Sequence, residues 1–68
     1  PIERELSRQV SARLAARGLG EVEVYAEGRD IVLAGAVRDR REAAKALAVA
    51  GATAGVRAVR DQLQHPQQ

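Results

Sequence analysis

The sequence has no cysteine, one histidine and one aromatic residue, Tyr25, among its 68 positions. Without cysteine there is no disulfide framework and no thiolate metal site, and the redox compartment is left open. With a single aromatic ring there is no stacking platform of the kind that holds single-stranded nucleic acid. A long apolar run is missing too. The most apolar window, Ala43 to Val56, spans fourteen residues and contains Lys45, whereas a membrane-crossing helix takes about 20 apolar residues. The chain is therefore not expected to span a bilayer. No leader pattern stands at Pro1, and the expectation is a domain excised from a longer protein.

What is present is aliphatic and small. Fourteen of the hydrophobic residues are alanine, and the larger ones are two Ile, six Leu, eight Val and Tyr25. That suffices for one thin core between two layers, in a chain short enough to bury only about 60% of its unfolded surface. The net charge is +2, but the signs are segregated. Residues 1–20 carry four Arg against two Glu. Residues 21–37 carry Glu21, Glu23, Glu27 and Asp30 against Arg29 alone. Residues 38–68 are again basic, with Arg38, Arg40, Arg41, Lys45, Arg57 and Arg60 against three acids. An acidic hairpin thus sits between two basic segments, which is either ordinary solvation or an interaction surface.

Periodicity predicts the elements. Over 2–17, Ile2, Leu6, Val10 and Leu14 recur every four residues, the stripe of an amphipathic helix. Gly18 is placed to stop it, and Arg13 should lay its stem along the core edge. Residues 21–27 alternate strictly, with Val22, Val24 and Ala26 inward. Residues 31–37 form a second strand with Ile31, Leu33, Gly35 and Val37 on one face. Gly28-Arg29 between them fits a type II′ turn, which pairs Val24 with Leu33 and Ala26 with Ile31. Gly35, opposite Val22, suggests close approach by another backbone such as a covering helix. Asp39 and Glu42 have capping-box spacing and open a second helix. Ala43, Ala46, Leu47, Ala50, Thr53 and Ala54 share its inner face, Val49 lies at the edge, and Gly55 is expected to end it. A third strand over 57–63 presents Val59 and Leu63. The expectation is an α+β fold of order αββαβ: a three-stranded mixed sheet with two helices on one face. Residues 1–63 make one domain and residues 64–68 a disordered tail. The expected core is Leu6, Val10, Leu14, Val22, Val24, Ile31, Leu33, Leu47, Val56 and Val59.

The residues that could do chemistry are poorly placed for it. His65, the sole histidine, lies in the tail, and Ser7 and Ser11 fall on the polar helix face, so no nucleophile has a base beside it. Glu21, Glu23 and Glu27 point to solvent and lack a histidine or loop to close a metal site. Gly18-Leu19-Gly20 lacks a third glycine and precedes a strand, so it is no dinucleotide loop. No catalytic residue, metal or cofactor is expected. The basic cluster of Arg40, Arg41 and Lys45 could meet phosphate, either nucleic acid or anionic lipid. The αββαβ order is shared with KH-like domains, but their G-x-x-G clamp is absent, which disfavours nucleic acid. On the other sheet face, Tyr25 and Val32 should stand directly cross-strand, with Arg60 facing them from the third strand, a candidate partner surface.

Four motifs in order resemble the BON domain, a bacterial envelope module. Leu6, Val10 and Leu14 match its first helix, and Val22-Glu23-Val24 its V-x-V strand. Residues 31–37 match V-x-L-x-G-x-V. Gly55-Val56-Arg57-Ala58-Val59-Arg60-Asp61-Gln62-Leu63 matches G-V-x-x-V-x-N-x-L. Asp61 replaces the usual Asn, Thr53 a branched apolar residue, and Gly28 comes one residue earlier than the family's hairpin glycine. The resemblance implies a periplasmic, non-catalytic module that attaches a larger protein to anionic phospholipid or to neighbouring envelope domains, often beside OmpA-type modules. Similar units also build rings in secretion systems, so a protein scaffold is the alternative. The isolated domain is expected to be monomeric, with Gly28, Gly35 and Gly55 as structural positions.

Overall fold

The computed structural model describes residues 1–66. Its elements run α1 (Ile2–Ala16), β1 (Glu23–Glu27), β2 (Asp30–Ala36), α2 (Arg40–Gly51) and β3 (Ala58–Gln64). This is the αββαβ order. The sheet order is β1-β2-β3, with β1 antiparallel and β3 parallel to the central β2. A parallel pair needs a crossover between its strands, and α2 supplies it. α1 packs on β1, α2 on β3, and the helices touch each other. No helix among the described residues is long and apolar enough to cross a membrane.

α1 ends in a Schellman motif. The Gly18 N–H donates to the Ala15 carbonyl at 3.1 Å and the Leu19 N–H to the Leu14 carbonyl at 2.8 Å, the paired bonds that satisfy a helix's last acceptors. The motif folds Leu19 under the helix, where it is buried. The hairpin has the register that the two-residue turn dictates, Glu27 opposite Asp30 and Tyr25 opposite Val32. Gly28 has φ +63 and Arg29 does not share its sign, as a type II′ turn requires. The turn is also tied down from a distance: the Gly28 N–H donates to the Glu3 carboxylate at 2.7 Å.

Asp39 caps α2. Its Oδ1 accepts from the Glu42 N–H at 2.8 Å, and Glu42 reaches back to the Arg38 N–H at 2.8 Å. The reciprocal bond of the capping box thus lands one residue before the cap.

The core holds Leu6, Val10, Leu14, Leu19, Val22, Ile31, Leu33, Val37, Ala43, Ala46, Val49 and Ala50. Val24, Ala26, Leu47, Val56, Val59 and Leu63 are partly buried against it. Alanine along α2 brings the helix close to the sheet, since only a methyl group separates the two layers there.

Five expectations are corrected. Val24, Leu47, Val56 and Val59, expected in the core, are only partly buried at its margin. Val49 is a core residue and not an edge one. α2 stops at Gly51, four residues before Gly55. Thr53 then lies beyond the helix, buried, its hydroxyl donating to the Val49 carbonyl at 3.0 Å, which is how a polar side chain is accommodated there. Gly35 is not approached by a helix. It has φ +97, and an added Cβ would sit 3.5 Å from the Glu23 carboxylate, so the requirement is conformational. Finally, β3 runs through Gln64, whose carbonyl accepts from the Val37 N–H at 2.9 Å, one residue into the expected tail. Gln67 and Gln68, also assigned to that tail, lie outside the described residues. Gly55 does have a packing role, because a Cβ there would be 3.0 Å from Leu6 Cδ2.

Candidate functional site

Two surfaces carry the residues singled out in the sequence, and they lie on opposite layers. The first is the outward side of α2. Arg41 and Lys45 are one turn apart and share a face, Arg40 precedes them, and all three are exposed. The ion pairs among the described residues are Arg8–Glu5, Arg38–Glu42 and Arg57–Asp30. Arg40, Arg41 and Lys45 take part in none of them. Arg38, beside the cluster, is held by Glu42 at 3.0 Å. The Arg38 N–H and guanidinium both bond the Glu42 carboxyl and hold it below its ordinary carboxylate range.

The second surface is the sheet face away from the helices. Tyr25, Val32 and Arg60 form one row across it, since Val32 is the register partner of both others. Glu23 and Glu27 flank Tyr25 on β1. Tyr25 is 53% exposed, and its hydroxyl donates to Glu23 Oε1 at 2.7 Å. That bond, with the carboxylate's charge, holds the phenol above its ordinary pKa. Val32 was expected to be open on this face, but it is only 8% exposed. It sits on the central strand between two long neighbours, and cross-strand side chains about 5 Å away shield it. The surface a partner would meet is therefore Tyr25 and charge, not an apolar patch.

Sequence reasoning missed two long-range ties. Arg57 forms a fork on Asp30, Nε to Oδ1 at 3.1 Å and Nη2 to Oδ2 at 3.0 Å, a bidentate geometry. Arg57 therefore belongs to the strand junction rather than to the basic surface. Glu3 is bound to the hairpin turn. Nothing in local spacing signals either, because the partners are 27 and 25 residues apart. The burial of Leu19 did have a signal: an apolar residue just after a C-terminal glycine is the Schellman pattern.

A surface groove of about 480 Å³ lies where the end of α1, β1 and β2 meet the start of α2, with Leu19, Val22 and Val37 beneath Arg38 and Glu42. A smaller one of about 170 Å³ is lined by Arg13, Ala16, Arg17 and Val49. No group of three His, Asp or Glu among the described residues is arranged to hold a metal ion.

Two solved structures share this fold, both of CdsD, a structural protein of the type III secretion system of Chlamydia trachomatis. One is 22% identical with a TM-score of 0.78 and covers 96% of this chain; the other, its C-terminal domain, is 20% identical with a TM-score of 0.78 and covers 97%. The chain spans only 33% and 34% of those two chains. No curated protein matches it. A family model for the BON domain matches residues 2–66, and the chain belongs to that family.

Proposed function

We propose that the chain is a non-catalytic docking module of a bacterial envelope protein, working through its outer faces and not through a cavity. One observation carries this: the exposed anions of β1 and the exposed cations of α2 sit on opposite layers, and among the described residues neither set has an ion-pair partner. The cations are also poorly placed for helix stability. Arg40 and Arg41 occupy the first turn of α2, where the helix dipole is positive and disfavours them. A binding role explains residues that local physics opposes.

The groups that could react support the same reading. The Ser7 hydroxyl is spent on the Arg4 carbonyl at 3.1 Å, and the His65 ring lies 3.3 Å from the Pro66 carbonyl oxygen. The family and the CdsD likeness support a place in the bacterial envelope, with the periplasm as the compartment. A neighbouring envelope protein is the favoured partner, because the outward sheet face offers an exposed Tyr25 in one row with Arg60, and tyrosine and arginine are enriched at protein interfaces. The test is Tyr25 fluorescence quenching by a neutral quencher, in this domain alone and in the full-length protein. Protection in the full-length protein is expected, and equal quenching removes the sheet face as a docking surface.

Anionic phospholipid is the second reading, favoured by the unpaired Arg40, Arg41 and Lys45. Each exposed cation near an anionic surface contributes about 1 kcal/mol, and screening shortens its reach to about 8 Å at physiological salt. Sedimentation with phosphatidylglycerol vesicles should then fall as salt rises and fall further in R40A/R41A/K45A. Binding unchanged in that variant rules the patch out.

A further inference from the structure

We propose that the open edge of β1 takes up an extended, cationic segment of a neighbouring envelope protein as an added strand of the sheet. This rests on the protein-docking reading above and gives the partner a chemistry and a place. The place is the edge of the strand, not its outward face.

The direction of the backbone bonds in β1 follows from its turn. Glu27 and Asp30 close a two-residue hairpin. Their backbone groups therefore bond each other, as do those of Tyr25 with Val32 and Glu23 with Ala34. The far side of β2 agrees. The Arg29 carbonyl accepts from the Arg57 N–H, and the Val37 N–H donates to the Gln64 carbonyl. Odd-numbered residues of β2 thus face β3 and even-numbered ones face β1. The N–H and C=O groups of Val24 and Ala26 are left pointing away from the sheet. No turn or cap bond among the described residues engages them, and the side-chain bonds to backbone go to other residues.

The two edges of the sheet differ. Gln64 faces β2, so alternation turns Leu63 outward on β3. There the Leu63 N–H donates to Asp61 Oδ1 at 3.0 Å, an edge donor taken by the strand's own side chain. β1 has no such bond and no proline, and its register with β2 runs unbroken from Glu23 to Glu27. Of the usual edge blocks it has only charge. Helix α1 does not bring long side chains over it. Arg13 and Arg17 of α1 lie with Val49 of α2. At about 100° per residue, Ser7 and Ser11 then fall on the opposite flank, the one toward the β1 edge. Both are short, and the Ser7 hydroxyl is folded back onto the Arg4 carbonyl.

Charge selects the occupant. Glu23 and Glu27 are exposed on β1 and have no ion-pair partner among the described residues. A strand laid along this edge sets alternate side chains beside them, where cations are favoured and carboxylates opposed. A second copy is thereby refused. β1 against β1 brings glutamates to glutamates, and β1 against β3 finds the Leu63 donor occupied. The edge discriminates by repulsion as well as by attraction.

Amide hydrogen exchange read by NMR tests this on the chain itself, with a short blocked peptide alternating lysine and valine as the probe. In the free chain the Val24 and Ala26 amides should exchange faster than the Tyr25 amide, which is bonded to β2. With the peptide at about ten times its measured dissociation constant, both should slow about tenfold, since only the unbound fraction exchanges. A peptide alternating glutamate and valine should slow neither. E23Q/E27Q should bind the lysine peptide roughly three- to tenfold more weakly, with less dependence on salt. Ala26→Pro removes an outward N–H and no ladder bond. Its far-UV circular dichroism should stay that of the parent, and its Val24 amide should no longer slow. If that variant does not fold, the exchange measured in the parent decides alone. The proposal fails if both amides are as slow as that of Tyr25 in the free chain, or if the glutamate peptide protects them equally. It fails too if the lysine peptide slows neither. A lysine peptide that binds while both amides keep exchanging lies on the charged face, which overturns the edge and leaves the docking reading standing. That reading is judged separately by Tyr25 quenching in the full-length protein.

Discussion

The central strand β2 is covered on both sides, and the two covers differ in kind. On the inner side Ile31 and Leu33 have no exposed surface and lie among apolar side chains from both helices. On the outer side Val32 is 8% exposed and stands apart from that cluster. Its cover is Tyr25 and Arg60, which are themselves exposed. The inner cover is close packing, which cannot be thinned without a cavity. The outer cover is the width of two side chains standing beside a valine. Low exposure therefore means core on one side of this strand and shelter on the other.

The largest effect should come from the inner side. Leu33→Ala removes a fully buried side chain at the centre of the packed layer and should cost about 2–5 kcal/mol. In a domain this small that is a large share of total stability. A thermal melt indistinguishable from the parent's would show that the helices do not pack here.

Val32→Ala sharpens the comparison from the outer side. It removes about two methylene equivalents from a sheltered place, or roughly 1.5 kcal/mol. The void can fill from Tyr25 and Arg60, which are free to lean in, so the cavity cost should be small. A loss as large as that of Leu33→Ala would mean that the outer face is a second core.

Tyr25→Ala tests the shelter itself. Cross-strand pairs contribute about 0.2–1 kcal/mol, so the variant should unfold slightly earlier in denaturant while its far-UV circular dichroism stays that of the parent. Together with Val32→Ala it should cost less than the sum of the two, because the pair is in contact. Strict additivity would show that Tyr25 does not cover Val32.

The same contrast explains what was legible in the sequence. The inner face was, because helix stripes and strand alternation both report which side is apolar, and the two-residue turn fixed how β1 and β2 align. Leu6, Val10, Leu14, Ile31 and Leu33 follow from periodicity alone. The end of α2 was not legible. Alanines continue past Gly51 without a strong breaker, and the chain leaves the helix through Thr53, whose hydroxyl bonds the Val49 carbonyl. The outer face was legible as a row of residues but not as a surface. Alternation told that Val32 points outward, yet whether it is open depends on its neighbours' bulk across two strands. The Asp30–Arg57 and Glu3–Gly28 ties were invisible because they join elements whose proximity exists only once the fold is known.

The smallest expected effect belongs to the ion pair at the rim of the outer face, and pH isolates it. Arg57 bonds both carboxylate oxygens of Asp30, and its backbone N–H donates to the Arg29 carbonyl at 2.8 Å. Together these bonds hold the start of β3 to the start of β2. The guanidinium keeps the Asp30 carboxyl below its ordinary value of 3.8, and Asp30 holds Arg57 above its own. A carboxyl whose pKa is lower folded than unfolded binds protons more readily in the unfolded chain. Its stabilisation is therefore complete at pH well above 3.8 and is lost as pH falls through the folded pKa. The pair is solvent-exposed, so the contribution is small and salt-sensitive. Asp30→Asn should melt slightly below the parent at pH 7. The gap should close as the pH falls below 3.8, where the parent's carboxyl takes up its proton, and it should narrow at high salt. A gap that persists unchanged into acid would assign the effect to hydrogen bonding that the amide disrupts, and not to charge.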